Sequence, residues 1–319
     1  MAKYRNDLPQ MTHELFLTDG GIETSLIYDQ GIDLPDFAAF TLLDQAAGHA
    51  ALERYFDAYL AIALRERVGI VVETPTWRAS PDWGARHGYS DQRLNEVNRA
   101  AVDLLVGARH RWERQPNPVV ISGCIGPRGD GYQPTELMDV ATARSYHSLQ
   151  TRAFAESEAD LITAITMTNI AEAIGIALAA RDASMPVVVS FTVETDGRLP
   201  TGDCLAEAIT AVDEATDAYP EYFMINCAHP SHFATILTVG APWTNRLGGL
   251  RANASRLSHT ELDAASELDA GDPDELAAEY RELRRLHPNL RVLGGCCGTN
   301  HKHIGAIAAA CLQRKEILP

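Results

Sequence analysis

Six cysteines punctuate the 319-residue chain, at positions 124, 204, 227, 296, 297 and 311. Cys296 and Cys297 are adjacent and flanked by Gly294, Gly295 and Gly298, and Cys227 lies in an Asn226-Cys227-Ala228-His229-Pro230 stretch. Neighbouring residues on a strand point to opposite faces, so two adjacent cysteines can act together only where the chain bends, and glycines allow that bend. Three thiolates converging on one point suit zinc, which is borderline-soft and takes sulfur tetrahedrally at ~2.3 Å. With three protein ligands a fourth position stays open for water or substrate, the pattern of a catalytic ion. The plainer alternative is a buried cysteine pair beside small glycines. Cys204 and Cys311 sit in alanine-rich helical patterns and are read as core fillers. His229, His232, His301 and His303 follow the cysteine sites and are assigned to the starts of the next helices, not to the metal.

Bringing segments this far apart to one point requires a scaffold. Short β-branched runs alternate with amphipathic stretches along the chain. Strands are expected at 15–20, 69–74, 117–124, 160–166, 186–193, 222–227, 246–252 and 290–296. Helices are expected at 48–68, 91–114, 139–157, 169–181, 203–219, 230–239, 273–286 and 301–312. Eight strand–helix units in about 300 residues is the arithmetic of a single α/β domain, a (β/α)8 TIM barrel over residues 1–319. A doubly wound sheet would carry a G-x-G-x-x-G turn after its first strand, and Asp19-Gly20-Gly21-Ile22-Glu23 is not one. In a barrel the C-terminal strand ends carry the active site. Those ends hold Asp19, Glu73 with Thr74, Cys124, Thr166, Glu194, Asn226 with Cys227, and Cys296 with Cys297, so one cavity would collect them all. The loops at 22–47 and 253–272 leave the same face and are candidate lids.

Composition narrows the partners. The net charge is 27 − 43 = −16 and only three of the basic residues are lysines, which argues against nucleic acid. No apolar run approaches the ~20 residues a membrane span needs, and the first ten residues have no signal-peptide core. The expectation is a soluble, cytoplasmic protein with reduced cysteines, no membrane partner, and assembly into a homo-oligomer left open.

These motifs, read together, resemble the homocysteine S-methyltransferase family, which includes betaine- and S-methylmethionine-dependent enzymes and the homocysteine domain of cobalamin-dependent methionine synthase. The resemblance is carried by Thr18-Asp19-Gly20-Gly21, Gly123-Cys124-Ile125-Gly126-Pro127, Ser190-Phe191-Thr192 with Asp196-Gly197-Arg198-Leu199-Pro200, Asn226-Cys227-Ala228-His229-Pro230 and Gly294-Gly295-Cys296-Cys297-Gly298-Thr299. It spans nearly the whole chain in order. It implies a barrel whose Cys227, Cys296 and Cys297 bind a catalytic Zn2+. A small-molecule thiol, most simply homocysteine giving methionine, would accept a methyl group from an onium donor.

The chemistry is consistent with that implication. A free thiol of pKa about 8.5 is only a few per cent thiolate at neutral pH, and zinc lets it lose its proton. An onium donor's charge vanishes as the methyl leaves, so aromatic faces and carboxylates should hold it. Trp77 is the first aromatic candidate, with Tyr28, Tyr132 and Trp243 behind it. Asp19 matches the family aspartate that meets the acceptor's amino group, and Gly20 and Gly21 allow close backbone approach. Asp19, Glu73 and Asn226 are the expected catalytic residues. Glu73, Thr74, Trp77, Thr166 and Glu194 join Asp19 and its two glycines around the substrates. One position departs from the family. Where it usually has a glutamate at the end of strand 4, this chain reads Ala164-Ile165-Thr166-Met167-Thr168, with Ile165 at the glutamate's place. Either Glu73 or Glu194 substitutes from a neighbouring strand, or the acceptor is a different thiol. Two readings compete with methyl transfer: a zinc barrel hydrolase, and a non-catalytic thiol- or zinc-binding protein.

Overall fold

In the computed structural model, which describes residues 1–12, 14–134 and 137–312, eight parallel strands close in sequence order into one barrel. They are β1 (Phe16–Thr18), β2 (Gly69–Glu73), β3 (Val119–Ile125), β4 (Leu161–Met167), β5 (Val187–Phe191), β6 (Phe223–Asn226), β7 (Leu247–Ala252) and β8 (Val292–Gly295). Phe16 stands opposite both Gly69 and Val292, which closes the ring. All eight strands are buried along their length, because helices cover the outside and side chains fill the inside. The (β/α)8 barrel expected from the alternating pattern is therefore observed.

The helices begin where polar caps stand before apolar periodicity. Ser90, Asp139, Asn169 and Asn300 each accept a hydrogen bond from the first turn of the helix that follows, at Asp91–Trp112, Val140–Ala155, Ile170–Asp182 and His301–Cys311. One expected helix is much shorter than read. After β6 it covers only Pro230–Phe233, because the β-branched run that follows ends at Gly240 with φ +83°. Cys204 and Cys311 are half-buried: Cys204 precedes the helix Leu205–Thr216 with its sulfur accepting from Arg198 and does not fill the core, whereas Cys311, ending the last helix, packs against the core as expected. Among the described residues, no helix is long and apolar enough to cross a membrane.

The inside of the barrel is layered by the two-residue period of its strands. The lowest layer is apolar, with Phe16, Val71, Val120, Leu161, Val188, Met224 and Val292 packed as one cluster. Two residues further along each strand stand Thr18, Glu73, Ser122, Thr163, Ser190, Asn226 and Gly294. Every side chain of that second layer except the glycine's is polar. Buried hydroxyls and amides must find partners, and here they find one another, as in Ser122–Thr163 at 2.7 Å and Ser190–Asn226 at 2.6 Å.

Above this layer β8 turns sharply. The Cys296 amide donates to Ala252 of β7, and the Thr299 amide and hydroxyl both donate to the Cys296 carbonyl (3.1 and 2.7 Å). Gly298 has φ +77°, which glycine adopts without strain. The turn leaves no room at Gly295, where a Cβ would run into the Thr299 side chain. Gly295→Ala should therefore cost about 1–3 kcal/mol as an overpacking substitution. Because the clash is with one side chain, Gly295→Ala combined with Thr299→Ala should lose less than the sum of the two single losses in urea denaturation. Strict additivity would mean that the contact is not the cause.

Candidate functional site

The sulfurs of Cys227, Cys296 and Cys297 all lie within 4.8 Å of one another at the C-terminal mouth, forming a group that could hold a metal ion. The Cys227 and Cys296 sulfurs are in contact, and Cys297 Sγ stands 4.0 Å from Cys227 Sγ. Two backbone features aim these sulfurs inward. Cys227 has φ +53°, a region that residues with a Cβ seldom enter, and Thr166 of β4 has φ +63°. Asn226 clamps the strained segment: its Oδ1 accepts from the Thr166 amide (2.9 Å) and its Nδ2 donates to Thr166 Oγ1 (2.8 Å). The same distortion shifts the register of β4 against β5 between Ala164 and Met167. As in a bulge, two consecutive side chains, Ile165 and Thr166, then face the cavity.

Cys227 is held from outside by the loop after β7. His259 Nε2 donates to the Cys227 carbonyl (2.7 Å) and Asn253 Nδ2 donates to the same oxygen (3.0 Å). His259 Nδ1 meets Glu194 at 2.9 Å, and its ring stacks on Tyr132 with centroids 3.9 Å apart. Tyr132 in turn places its hydroxyl 3.4 Å from Cys297 Sγ.

Beside the sulfurs lies a buried charge cluster. Arg251 of β7 brings Nη1 within 2.9 Å of Asp19 Oδ1 and 3.7 Å of Glu73 Oε1. Its other nitrogens donate to the carbonyls of Gly295 and Gly20, both at 3.1 Å. Tyr55 donates to Asp19 Oδ2 (3.0 Å). Burial raises the Asp19 carboxyl above its usual range, with Arg251 and Tyr55 opposing. Glu73 is pushed up to about 7, chiefly by burial, with Arg251 opposing and Asp19 adding to the rise. Glu23 is likewise pushed up to about 7, by burial and then by repulsion from Asp19.

The cavity gathers most of the residues picked out from the sequence, and sets others apart. Asp19, Gly20, Gly21, Glu73, Thr74, Trp77, Thr166 and the three cysteines line it, as do Tyr28 and Tyr132. Gly20 and Gly21 are needed for chain contact: a Cβ on Gly21 would meet the Cys296 carbonyl at 2.5 Å, and one on Gly20 the Tyr59 hydroxyl at 2.7 Å. Trp77 already carries a cation, the Arg78 guanidinium 4.0 Å from its ring centre. Asn226 and Glu194 stand behind the wall, one holding Thr166 and the other His259. Trp243 lies in the short turn before β7, at the opposite end of that strand, and packs against the core. His229, His232 and His303 are buried at helix starts and bonded to Ser231, the Arg256 carbonyl and the Ala270 carbonyl.

Sequence reading passed over Arg251, Tyr55, Glu23, Arg78 and His259. For Arg251 a signal existed: a lone charge inside the apolar run Leu247–Ala252, in a chain whose neighbouring strand ends carry two unexplained carboxylates. Both long loops do line the cavity, through Glu23 and Phe37 on one side and Asp263 and Asp269 on the other.

Residues 16–311 match the family model described as homocysteine S-methyltransferase. Selenocysteine Se-methyltransferase of Brassica oleracea var. italica is 24% identical over 94% of this chain and 90% of its own length. Homocysteine S-methyltransferase 3 of Arabidopsis thaliana is 24% identical over 92% of this chain and 88% of its own. The oxidised form of the homocysteine methyltransferase MmuM from Escherichia coli superposes with TM-score 0.74 at 19% identity, covering 95% of this chain and 97% of that one. Its metallated form gives TM-score 0.71, covering 93% and 96%.

The charge cluster yields a test of its own. Arg251→Met leaves Asp19 and Glu73 buried without a counter-charge, and breaking a buried pair in this way costs about 3–5 kcal/mol. Carboxyls whose folded pKa lies above the unfolded one bind more protons when folded, so they lower stability as pH rises through that interval. The deficit of Arg251→Met should therefore be larger at pH 8 than at pH 5.5 in urea denaturation. An equal deficit at both would assign the loss to packing.

Proposed function

The chain belongs to the homocysteine S-methyltransferase family, and from that membership we propose that it moves a methyl group from an onium donor to a small thiol, most simply homocysteine, held at a zinc ion. The observation that carries this reading is the convergence of three sulfurs at the floor of an acid-lined cavity. Sulfurs around a tetrahedral zinc at ~2.3 Å lie about 3.8 Å apart, and the Cys227–Cys297 separation of 4.0 Å fits that spacing. Cys227, Cys296 and Cys297 would hold the ion, which supplies an open position where a thiol loses its proton near neutral pH.

The chain's own residues do the rest. Seven acids and two arginines line the cavity, so its mouth attracts cations before any metal is considered. A sulfonium or quaternary ammonium donor enters that field, and its charge is lost when the methyl group leaves with no electrons. The bonding pair stays on the donor, which departs neutral, while a lone pair of the acceptor thiolate forms the new S–CH3 bond. Tyr132 and Trp77 are the aromatic surfaces for the cation. Asp19 supplies negative charge for an acceptor's amino group, and Tyr55 fixes its carboxylate. Asn226, Glu194 and His259 act at one remove by holding the Thr166 and Cys227 backbone.

Reduced, purified protein should bind about one zinc per chain and methylate homocysteine with S-methylmethionine or betaine. Cys227→Ala, Cys296→Ala and Cys297→Ala should each abolish tight zinc binding, measured by elemental analysis after dialysis. Full occupancy in any one of them removes that residue from the ligand set. Zinc binding without methylation of any thiol would leave a zinc protein and end the transferase reading.

A further inference from the structure

Ile165 occupies the cavity wall at the end of β4, 8% exposed, where it offers no charge to a substrate. The two glutamates that could compensate have different surroundings. Glu194 is bonded to His259 at 2.9 Å and does not line the cavity. Glu73 does line it, is 5% exposed, and has an Oε2 without a hydrogen-bond partner. Its other oxygen is 3.7 Å from Arg251, whereas Asp19 is engaged by Arg251 at 2.9 Å and by Tyr55 at 3.0 Å.

We propose that Glu73, reaching in from β2, does the work of the missing β4 carboxylate and makes the site select thiols that also carry an amino group. The proposal rests on the methyl-transfer reading and names its acceptor class. Counting charges supports it. With both carboxylates ionised, Asp19 and Glu73 against Arg251 leave one net negative charge among these three paired groups, and one ammonium group brings their sum to zero. A buried cluster is most stable when its charges balance and each polar atom is paired. The orphaned Oε2 is then the atom that receives the ammonium hydrogen. Position agrees as well. The Cys227 amide donates to the Arg251 carbonyl, so the residue between the two carboxylates also borders the sulfur cluster. A short amino thiol can therefore place sulfur and nitrogen in neighbouring parts of one cavity. Burial keeps Glu73 near half-protonated at neutral pH, and an ammonium beside it favours the ionised form.

The test compares homocysteine with 4-mercaptobutanoate, the same thiol acid without its amino group. With S-methylmethionine as donor, Glu73→Gln should lower the ratio of kcat/KM for the two thiols at least tenfold, mainly through KM for homocysteine. Adding Ile165→Glu to Glu73→Gln should restore much of that ratio. Ile165→Glu in the otherwise native chain should raise it less than threefold, since the ammonium already has its partner. This last variant keeps the test alive should Glu73→Gln not fold. Equal losses for both thiols in Glu73→Gln, or a tenfold gain from Ile165→Glu alone, would overturn the assignment. Calorimetric titration of the zinc-loaded protein with the same two thiols reads the preference without turnover. Selective homocysteine binding that depends on Glu73, with no methylation, would sink the transfer reading and keep the amino-thiol site. Transfer with no amino preference would do the reverse.

Discussion

One guanidinium joins four strands at the mouth of the barrel. Arg251 contacts the carboxylates of β1 and β2, and donates to the carbonyls of Gly20 and Gly295 at the ends of β1 and β8. Its own backbone carbonyl receives the Cys227 amide. Removing a charge from water costs several kcal/mol unless it is paired and hydrogen-bonded, so this arrangement holds only while every partner stays in place. The acidic residues and the sulfurs of the cavity are thereby fixed relative to each other by one side chain.

The polar layer around Arg251 explains how a barrel can be both a packed core and a site. Below it lies a largely apolar cluster, and above it the strand ends splay into loops. A polar layer at that height carries an energetic penalty unless its members pair, and Ser122, Thr163, Ser190 and Asn226 do so. Strain collects at the same level. Thr166 and Cys227 both adopt left-handed backbone, and Asn226, next to one and bonded to the other, holds that conformation. Backbone strain of this kind persists when the surroundings over-determine it. Here it turns Cys227 toward the other two cysteines and brings a second β4 side chain into the cavity.

Electrostatics then orders the cavity from floor to rim. The floor balances two carboxylates against Arg251, while Asp130, Asp263, Glu267 and Asp269 come from the outer loops. Arg78, stacked between Trp77 and Trp83 at 4.0 and 3.7 Å, is the one cation of the outer wall among the described residues. A site so charged attracts cations. Glu23 and Glu73, both near 7, make the depth of that field depend on pH in the neutral range.

The alternation of β-branched runs with amphipathic stretches was enough to read eight strand–helix units, because burial on both faces makes parallel strands continuously apolar and helical periodicity is local. Cys227, Cys296 and Cys297 could be paired by type and by flanking glycines, since metal ligation restricts chemistry to few residue kinds. Asp19 and Glu73 stood out as carboxylates at strand ends. Other features had no local signature. Arg251 was hidden because its partners lie on other strands, the carboxylates Asp19 and Glu73 more than 170 residues away in the chain. The inward turn of Thr166 and Cys227 depends on Asn226 reaching across from β6 to β4, a contact that no spacing along the chain encodes. Glu194 and Trp243 looked like cavity residues from their place in sequence. Loop geometry sent one to His259, and the turn before β7 sent the other to the core at the far end of the barrel. Sequence alone determined which residue types reach the mouth, because strand period and order are properties of the chain. Only the closed barrel decided which of them touch, because charge pairing and strain are set by distances between strands that the chain visits far apart.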